Sequence, residues 1–208
     1  MSQLPDPAAG LEIPAELPGG LVVFLNGTSS SGKSSIAAEL LKLLDEPYYY
    51  MPVDTFYGMR VDREIAPEDF QETVDRTCMG FHRAVAGMAA SGNNVVVDHV
   101  ISRPWRLLDC LDLFTPEDVL LVGLRCALPE LERRERERGD RSPGLAAGQF
   151  EQVHAHGVYD LECDTGVSTP LECARQIAAA LPRRARPTAF EELRSRLRPG
   201  AEVSPPAL

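Results

Sequence analysis

An apolar run, Leu21-Val22-Val23-Phe24-Leu25, leads through Asn26 into Gly27-Thr28-Ser29-Ser30-Ser31-Gly32-Lys33-Ser34. Ile36, Leu40, Leu43 and Leu44 then follow at helical spacing. This strand, loop and helix constrain the fold more than any other part of the chain. A strand with no polar alternation is buried on both faces, as in the centre of a parallel sheet. The loop fits G-x-x-x-x-G-K-[ST], and it stands between a strand and a helix, the context that gives the pattern meaning. Gly27 and Gly32 let the backbone curl so that successive N–H groups point into one concavity. The positive end of the next helix adds to that field. Gly27, Thr28, Ser29, Ser30, Ser31, Gly32, Lys33, Ser34 and Ser35 are therefore the expected cradle for a nucleoside triphosphate. Lys33 can reach the β- and γ-phosphates, and the Ser34 hydroxyl can ligate Mg²⁺.

The same alternation continues. Tyr48–Val53, Val95–Val97, Val119–Leu124 and the Tyr159, Leu161, Cys163 alternation read as further strands, the last an exposed one. Phe70, Val74, Cys78, Phe81, Val85 and Met88 form one stripe of a long helix closed by Gly92. Pro104 opens a short helix, Pro129–Arg138 forms a charged one stopped by Gly139, and another lies near Gln149–Ala155. Thr169-Pro170-Leu171-Glu172 is a capping box with Pro at the first helical position, and Thr188 with Glu191 begins a last short helix. The expectation is an α/β fold: a five-stranded parallel sheet with helices on both faces. Residues 1–20, rich in Pro and Gly, read as a flexible arm. Residues 21–182 read as one domain, and 183–208 as a tail carrying a solvated short helix.

Two strand candidates hand over to an acid, Asp54 after Tyr48–Val53 and Asp98 after Val95–Val97. Ligands in such sheets bind at the carboxyl ends of the strands. Each acid has an ordinary alternative, a strand-end carboxylate that caps the next turn. Together beside a phosphate loop they form a constellation. Asp98 resembles the acid that stands with Ser34 at Mg²⁺. One acid can hold the metal while the other accepts a proton from an acceptor hydroxyl, which separates a kinase from a nucleotide switch or binding protein.

Composition narrows the partners. The net charge of −10 argues against nucleic acid, whose phosphates want a basic face. Five scattered cysteines without a CxxC pair suggest reduced thiols and a cytoplasmic setting. The first twenty residues lack the basic start and apolar core of a signal peptide. No apolar run approaches the roughly 20 residues of a membrane span. His154-Ala155-His156 lacks a completing ligand and reads as surface or helix-end histidines. Oligomeric state, a homo-oligomer included, stays open.

The segments LNGTSSSGKSSI, MPVDTF, VVVDHV, LLVGLRC, ERERGDRSPGLAAGQFEQVHAHGVYDLECDT and PLECARQIAAAL resemble, in order over about residues 21–182, the chloramphenicol phosphotransferase-like family. That resemblance implies a P-loop kinase fold with a lid, transferring the ATP γ-phosphate to a hydroxyl of a small antibiotic. Kinases of primary metabolites or nucleosides share the fold, and GTP in place of ATP stays open. The resemblance implies that Asp54, in Val53-Asp54-Thr55, is the catalytic base, which leaves Asp98 and Ser34 for the metal as the motif reading has them. It places Arg138 and Arg141, around Gly139-Asp140, in a lid over the phosphates, where guanidinium groups neutralise the transferring phosphoryl. Arg125 is either a neighbour of the nucleotide base or a packing residue. The chain departs from the family where a third-strand acid is replaced by His99, either a pocket group or a satisfied core histidine. The stretch from Thr55 to Asn94 is also shorter than in the chloramphenicol enzyme.

Overall fold

A computed structural model describes residues 18–61, 63–139 and 143–200. The elements in chain order are β1 (Val22–Asn26), α1 (Lys33–Leu43), β2 (Tyr48–Pro52), α2 (Val53–Gly58), α3 (Pro67–Ala90), β3 (Asn94–His99) and α4 (Pro104–Leu113). There follow β4 (Val119–Arg125), α5 (Leu128–Arg138), α6 (Leu145–Val153), β5 (Leu161–Asp164), α7 (Pro170–Ala180) and α8 (Ala189–Leu197). The five strands form one parallel sheet in the order β2-β3-β1-β4-β5.

Period-two alternation sorts the apolar side chains onto two faces. Val22, Phe24, Val95 and Val97 face one core, filled by α3, α4 and α8. Val23, Leu25, Val96 and Val122 face the other, filled by α1 and α7. This double burial is why β1 and β4 contain no polar residue before their ends. β5 is the edge strand and, among the described residues, pairs only with β4; Cys163 is buried while Glu162 and Asp164 are exposed. The capping boxes at Thr169 and Thr188 both form. All five cysteines are free and buried.

Three sequence expectations change. The strand ending in Asp54 stops earlier, because β2 ends at Pro52 and Val53 already begins α2. The helix expected near Gln149 starts at Leu145, because the buried Glu135 carboxylate accepts the N–H groups of Gly144 (2.9 Å) and Ala146 (3.1 Å) and so caps it. The solvated last helix is instead a core element. Phe190 and Leu193 of α8 are fully buried, and Phe190 stacks on Phe114 at 6.1 Å and 14°. Asp160 clamps the helix to the sheet by accepting the N–H groups of Leu121 and Ala189, each at 2.7 Å. Of the expected arm, residues 1–17 lie outside the described residues.

Candidate active site

The loop between β1 and α1 closes by its own hydrogen bonds. The Lys33 ammonium donates to the carbonyls of Gly27 (2.9 Å) and Thr28 (2.7 Å), pulling the loop into a cup. Ser30 and Gly32 take positive φ values of 61° and 91°. A side chain at Gly27 would place its Cβ 2.6 Å from Ser31 Oγ and 3.0 Å from the Leu124 carbonyl, so this glycine answers to crowding against β4. The Ser30 and Ser31 hydroxyls are buried without a partner among the described residues. Buried polar groups are normally satisfied, so orphan hydroxyls inside a cup of backbone N–H groups fit an oxyanion ligand.

Strand register brings the acids to this loop. Asp98 on β3 pairs with Leu25 of β1 on one side and Pro52 of β2 on the other. It is 7% exposed. Its Oδ2 accepts from Ser34 Oγ at 2.8 Å and from the Tyr50 hydroxyl at 2.9 Å, and its Oδ1 lies 3.9 Å from Lys33 Nζ. A serine and a carboxylate oxygen in contact beside a phosphate cup are the hard oxygen donors that Mg²⁺ prefers, so these residues fit that ion. Burial, then the charge of Asp98, raises the pKa of Tyr50 and keeps it a hydrogen-bond donor. Asp54 is exposed, in the first turn of α2, two residues beyond the strand. A helix N-terminus favours a carboxylate there.

Three cavities meet around these groups. A small one of about 120 Å³ is lined by the loop, Asp54, Asp98, Arg138 and Gln149. A second, of about 610 Å³, opens beside it and shares Val53, Asp54, Val100, Leu145 and Gln149. A third, of about 600 Å³, lies on the other side, against Gly32, Arg134, Arg138 and the Thr165–Pro170 turn. Asp54 therefore stands between the phosphate loop and the second cavity, and Arg138 between the loop and the third. Arg141 lies outside the described residues. Arg125 does not line these cavities. It pairs with Glu162 at 2.7 Å and lies over the Tyr159 ring at 5.7 Å.

Residues 20–182 match the model of the family described as chloramphenicol phosphotransferase-like protein. The chain belongs to that family. It is 31% identical over 206 residues to a Mycobacterium tuberculosis protein named "Putative O-phosphotransferase", found in strains H37Rv and CDC 1551, covering 88% of this chain and 91% of that one. Among solved structures it is similar to the Mycobacterium tuberculosis APS kinase CysC in complex with AMPPNP and APS, at TM-score 0.60 and 19% identity, covering 80% of this chain and 99% of the other. A gluconokinase from Sinorhizobium meliloti gives TM-score 0.58 and 20% identity, covering 80% and 93%. At these identities the likeness shows the fold, a P-loop kinase fold, and the family makes the chain a phosphotransferase.

Within this chloramphenicol phosphotransferase-like chain, several site neighbours have no motif to announce them. Gln149 accepts the Ser29 N–H at 2.8 Å and ties α6 to the phosphate loop. Tyr50 looks in sequence like one more aromatic of a strand. Its contact with Asp98 follows only from the pairing of β2 with β3. Glu135 reads as a member of a solvated charged face, yet it is 4% exposed and caps α6. His99 is fully buried. Its Nε2 lies 3.1 Å from His82 Nε2 and 3.6 Å from Cys78 Sγ, while His82 Nδ1 meets Asp109 Oδ2 at 2.6 Å. Burial, then the neighbouring His82, holds the His99 pKa well below the usual histidine range. His99 is thus part of a buried polar chain and also part of the wall of the second cavity. His154 and His156 pack on Tyr159, whose hydroxyl lies 2.6 Å from His154 Nδ1 and accepts from Asn26 at 2.7 Å. Of the two readings expected from sequence, surface or helix-end, the second holds: His154 is the C-cap of α6, and both rings are half-buried.

Proposed function

We propose that the protein transfers the γ-phosphate of ATP to a hydroxyl of a small antibiotic or related natural product. The observation that carries this reading is the position of Asp54, on the shared wall of the phosphate-loop cavity and a separate cavity of about 610 Å³. That volume suits a drug-sized acceptor. In the proposed step the acceptor oxygen attacks the γ-phosphorus. The bond from that phosphorus to the β–γ bridging oxygen breaks, ADP leaves, and the hydroxyl proton passes to the Asp54 carboxylate. Lys33 and the loop N–H groups hold the phosphates. Arg138 and Arg141 neutralise charge on the transferring group, where positioning and electrostatics supply most of the catalysis. Ser34 and Asp98 would hold Mg²⁺, which when bound neutralises charge on the β- and γ-phosphate oxygens. The third cavity, beside Arg134 and the Thr165–Pro170 turn, takes the nucleoside end of the donor.

The test is incubation of the purified chain with Mg²⁺ and ATP, or GTP, against a panel of hydroxylated antibiotics, natural products and nucleosides, read by mass spectrometry. A gain of one phosphoryl group on an antibiotic, absent in Lys33→Ala, supports the reading. Gain on nucleosides alone would move the assignment to nucleoside metabolism. Slow hydrolysis indifferent to every acceptor would make the protein a nucleotide switch.

A further inference from the structure

The wall of the second cavity carries a charge pattern opposite to that of the chain. The protein has a net charge of −10. Yet among the described lining residues the cations are Arg60, Arg103 and Arg106, and Asp54 is the one carboxylate. Arg60 follows α2, while Arg103 is the N-cap of α4 and Arg106 lies in its first turn. The positive end of α4 thus faces the same space and adds to the cationic field.

Arg106 makes the argument specific. It is 8% exposed. Its Nη1 donates to the Val100 carbonyl and to Ser102 Oγ, both at 3.1 Å, and both partners are uncharged. Its Nε has no hydrogen-bond partner among the described residues. Its carboxylate, Asp75, lies 3.9 Å from Nη2, and Arg103 shares that same Asp75 at 3.9 Å. Among the described residues, one shared acid at 3.9 Å thus balances two guanidinium groups. A largely desolvated cation that shares its carboxylate with a second guanidinium is costly, and a second anion at this wall relieves the imbalance. Tyr57, Ile65, Phe70, Val74 and Leu145 give the wall an apolar patch, set among uncharged polar side chains such as Gln71, Thr73 and Gln152.

We infer that the acceptor is itself an acid: a small molecule with an apolar body, a hydroxyl that meets Asp54, and a separate anionic group held by Arg103 and Arg106. This rests on the assignment of the second cavity as the acceptor site. A planar carboxylate suits the guanidinium fork best, and a phosphate monoester offers the same oxyanion chemistry.

The experiment uses matched probes: para-hydroxymethylbenzoate, its methyl ester, its primary amide and the corresponding phenyl phosphate. Each is titrated by calorimetry into the full chain with a non-hydrolysable ATP analogue and Mg²⁺, then incubated with ATP and checked for phosphoryl mass gain. An anionic probe is expected to bind about tenfold or more tighter than the ester and amide. The better of carboxylate and phosphate names the group. The advantage should shrink in Arg103→Gln and Arg106→Gln and persist in Arg83→Gln, whose guanidinium pairs with Asp109 outside the cavity. Arg103 is 44% exposed at its side chain, so its variant reports even if Arg106→Gln does not fold. Equal or tighter binding of the neutral probes, an advantage unchanged in Arg103→Gln, or no binding of either anion at millimolar concentration overturns the inference. Arginine-dependent binding of an acid with no mass gain in any acceptor leaves the anion site standing and counts against the kinase reading instead.

Discussion

At Lys33 the ammonium is held by two carbonyls of its own loop, so its removal touches the phosphate cup rather than the core. Lys33→Ala is expected to lower turnover by about a hundredfold or more, the scale seen when one stabilising donor at the reacting centre is lost. Its thermal unfolding should stay close to that of the parent, read by circular dichroism. The two acids should separate by what they bind. Asp54→Asn keeps shape and removes the proposed proton acceptor, so turnover should fall about 10²–10⁴-fold with Mg²⁺-ATP affinity unchanged. Asp98→Asn halves the oxygen set beside Ser34 and should chiefly weaken Mg²⁺-ATP binding, with partial recovery in excess Mg²⁺. Calorimetric titration of Mg²⁺-ATP beside steady-state rates decides. Rescue of Asp54→Asn by Mg²⁺ would exchange the two roles.

At the scale of elements, α8 and the α5–α6 junction carry the tests. Phe190 sits against Phe24 and Phe114 on the sheet face that also backs β1. Phe190→Ala should cost about 3–5 kcal/mol, the range for a buried aromatic cut to a methyl. Urea unfolding measures it, and a loss near zero would return α8 to the status of an appended tail. Glu135→Ala leaves the N–H groups of Gly144 and Ala146 without their acceptor. The buried Ala146 N–H left unsatisfied costs about 1–3 kcal/mol, while exposed Gly144 can turn to water. Because α6 also carries Gln149 onto the phosphate loop, this variant should lose turnover as well as stability. A stability loss with full turnover would show that α6 does not position the loop.

For the whole molecule, pH acts through histidines that burial keeps neutral. His154 and His156 are both held down to about 4, by burial first, and His99 is held well below its usual range. In the unfolded chain these groups take up a proton near pH 6.5. Their folded values are depressed, so as pH falls below 6.5 the unfolded state binds more protons and gains on the folded one. Stability should therefore be level with respect to these groups above pH 6.5 and decline from there toward pH 4. Scanning fluorimetry across that window checks the sign, and His156→Gln should flatten part of the slope. No described helix is long and apolar enough to cross a membrane.

Much of this was legible from the chain alone, because some signals are local. The apolar run at 21–25, the glycine spacing of the phosphate loop and the two capping boxes each specify a backbone state within a few residues. The alternation of strand and helix then leaves few ways to bury both faces of a sheet. What the sequence could not carry were partners chosen by packing. Tyr50 reaches Asp98 because β2 is registered on β3, 48 residues apart in the chain. Gln149 reaches Ser29 across 120 residues. Glu135 looks like a solvated charge until α6 folds over it, and Phe190 looks like a tail residue until Phe114 meets it. A charge pattern along a helix tells which residues can face water. Only the surrounding elements decide which of them do, because burial and hydrogen-bond partners belong to the assembled fold.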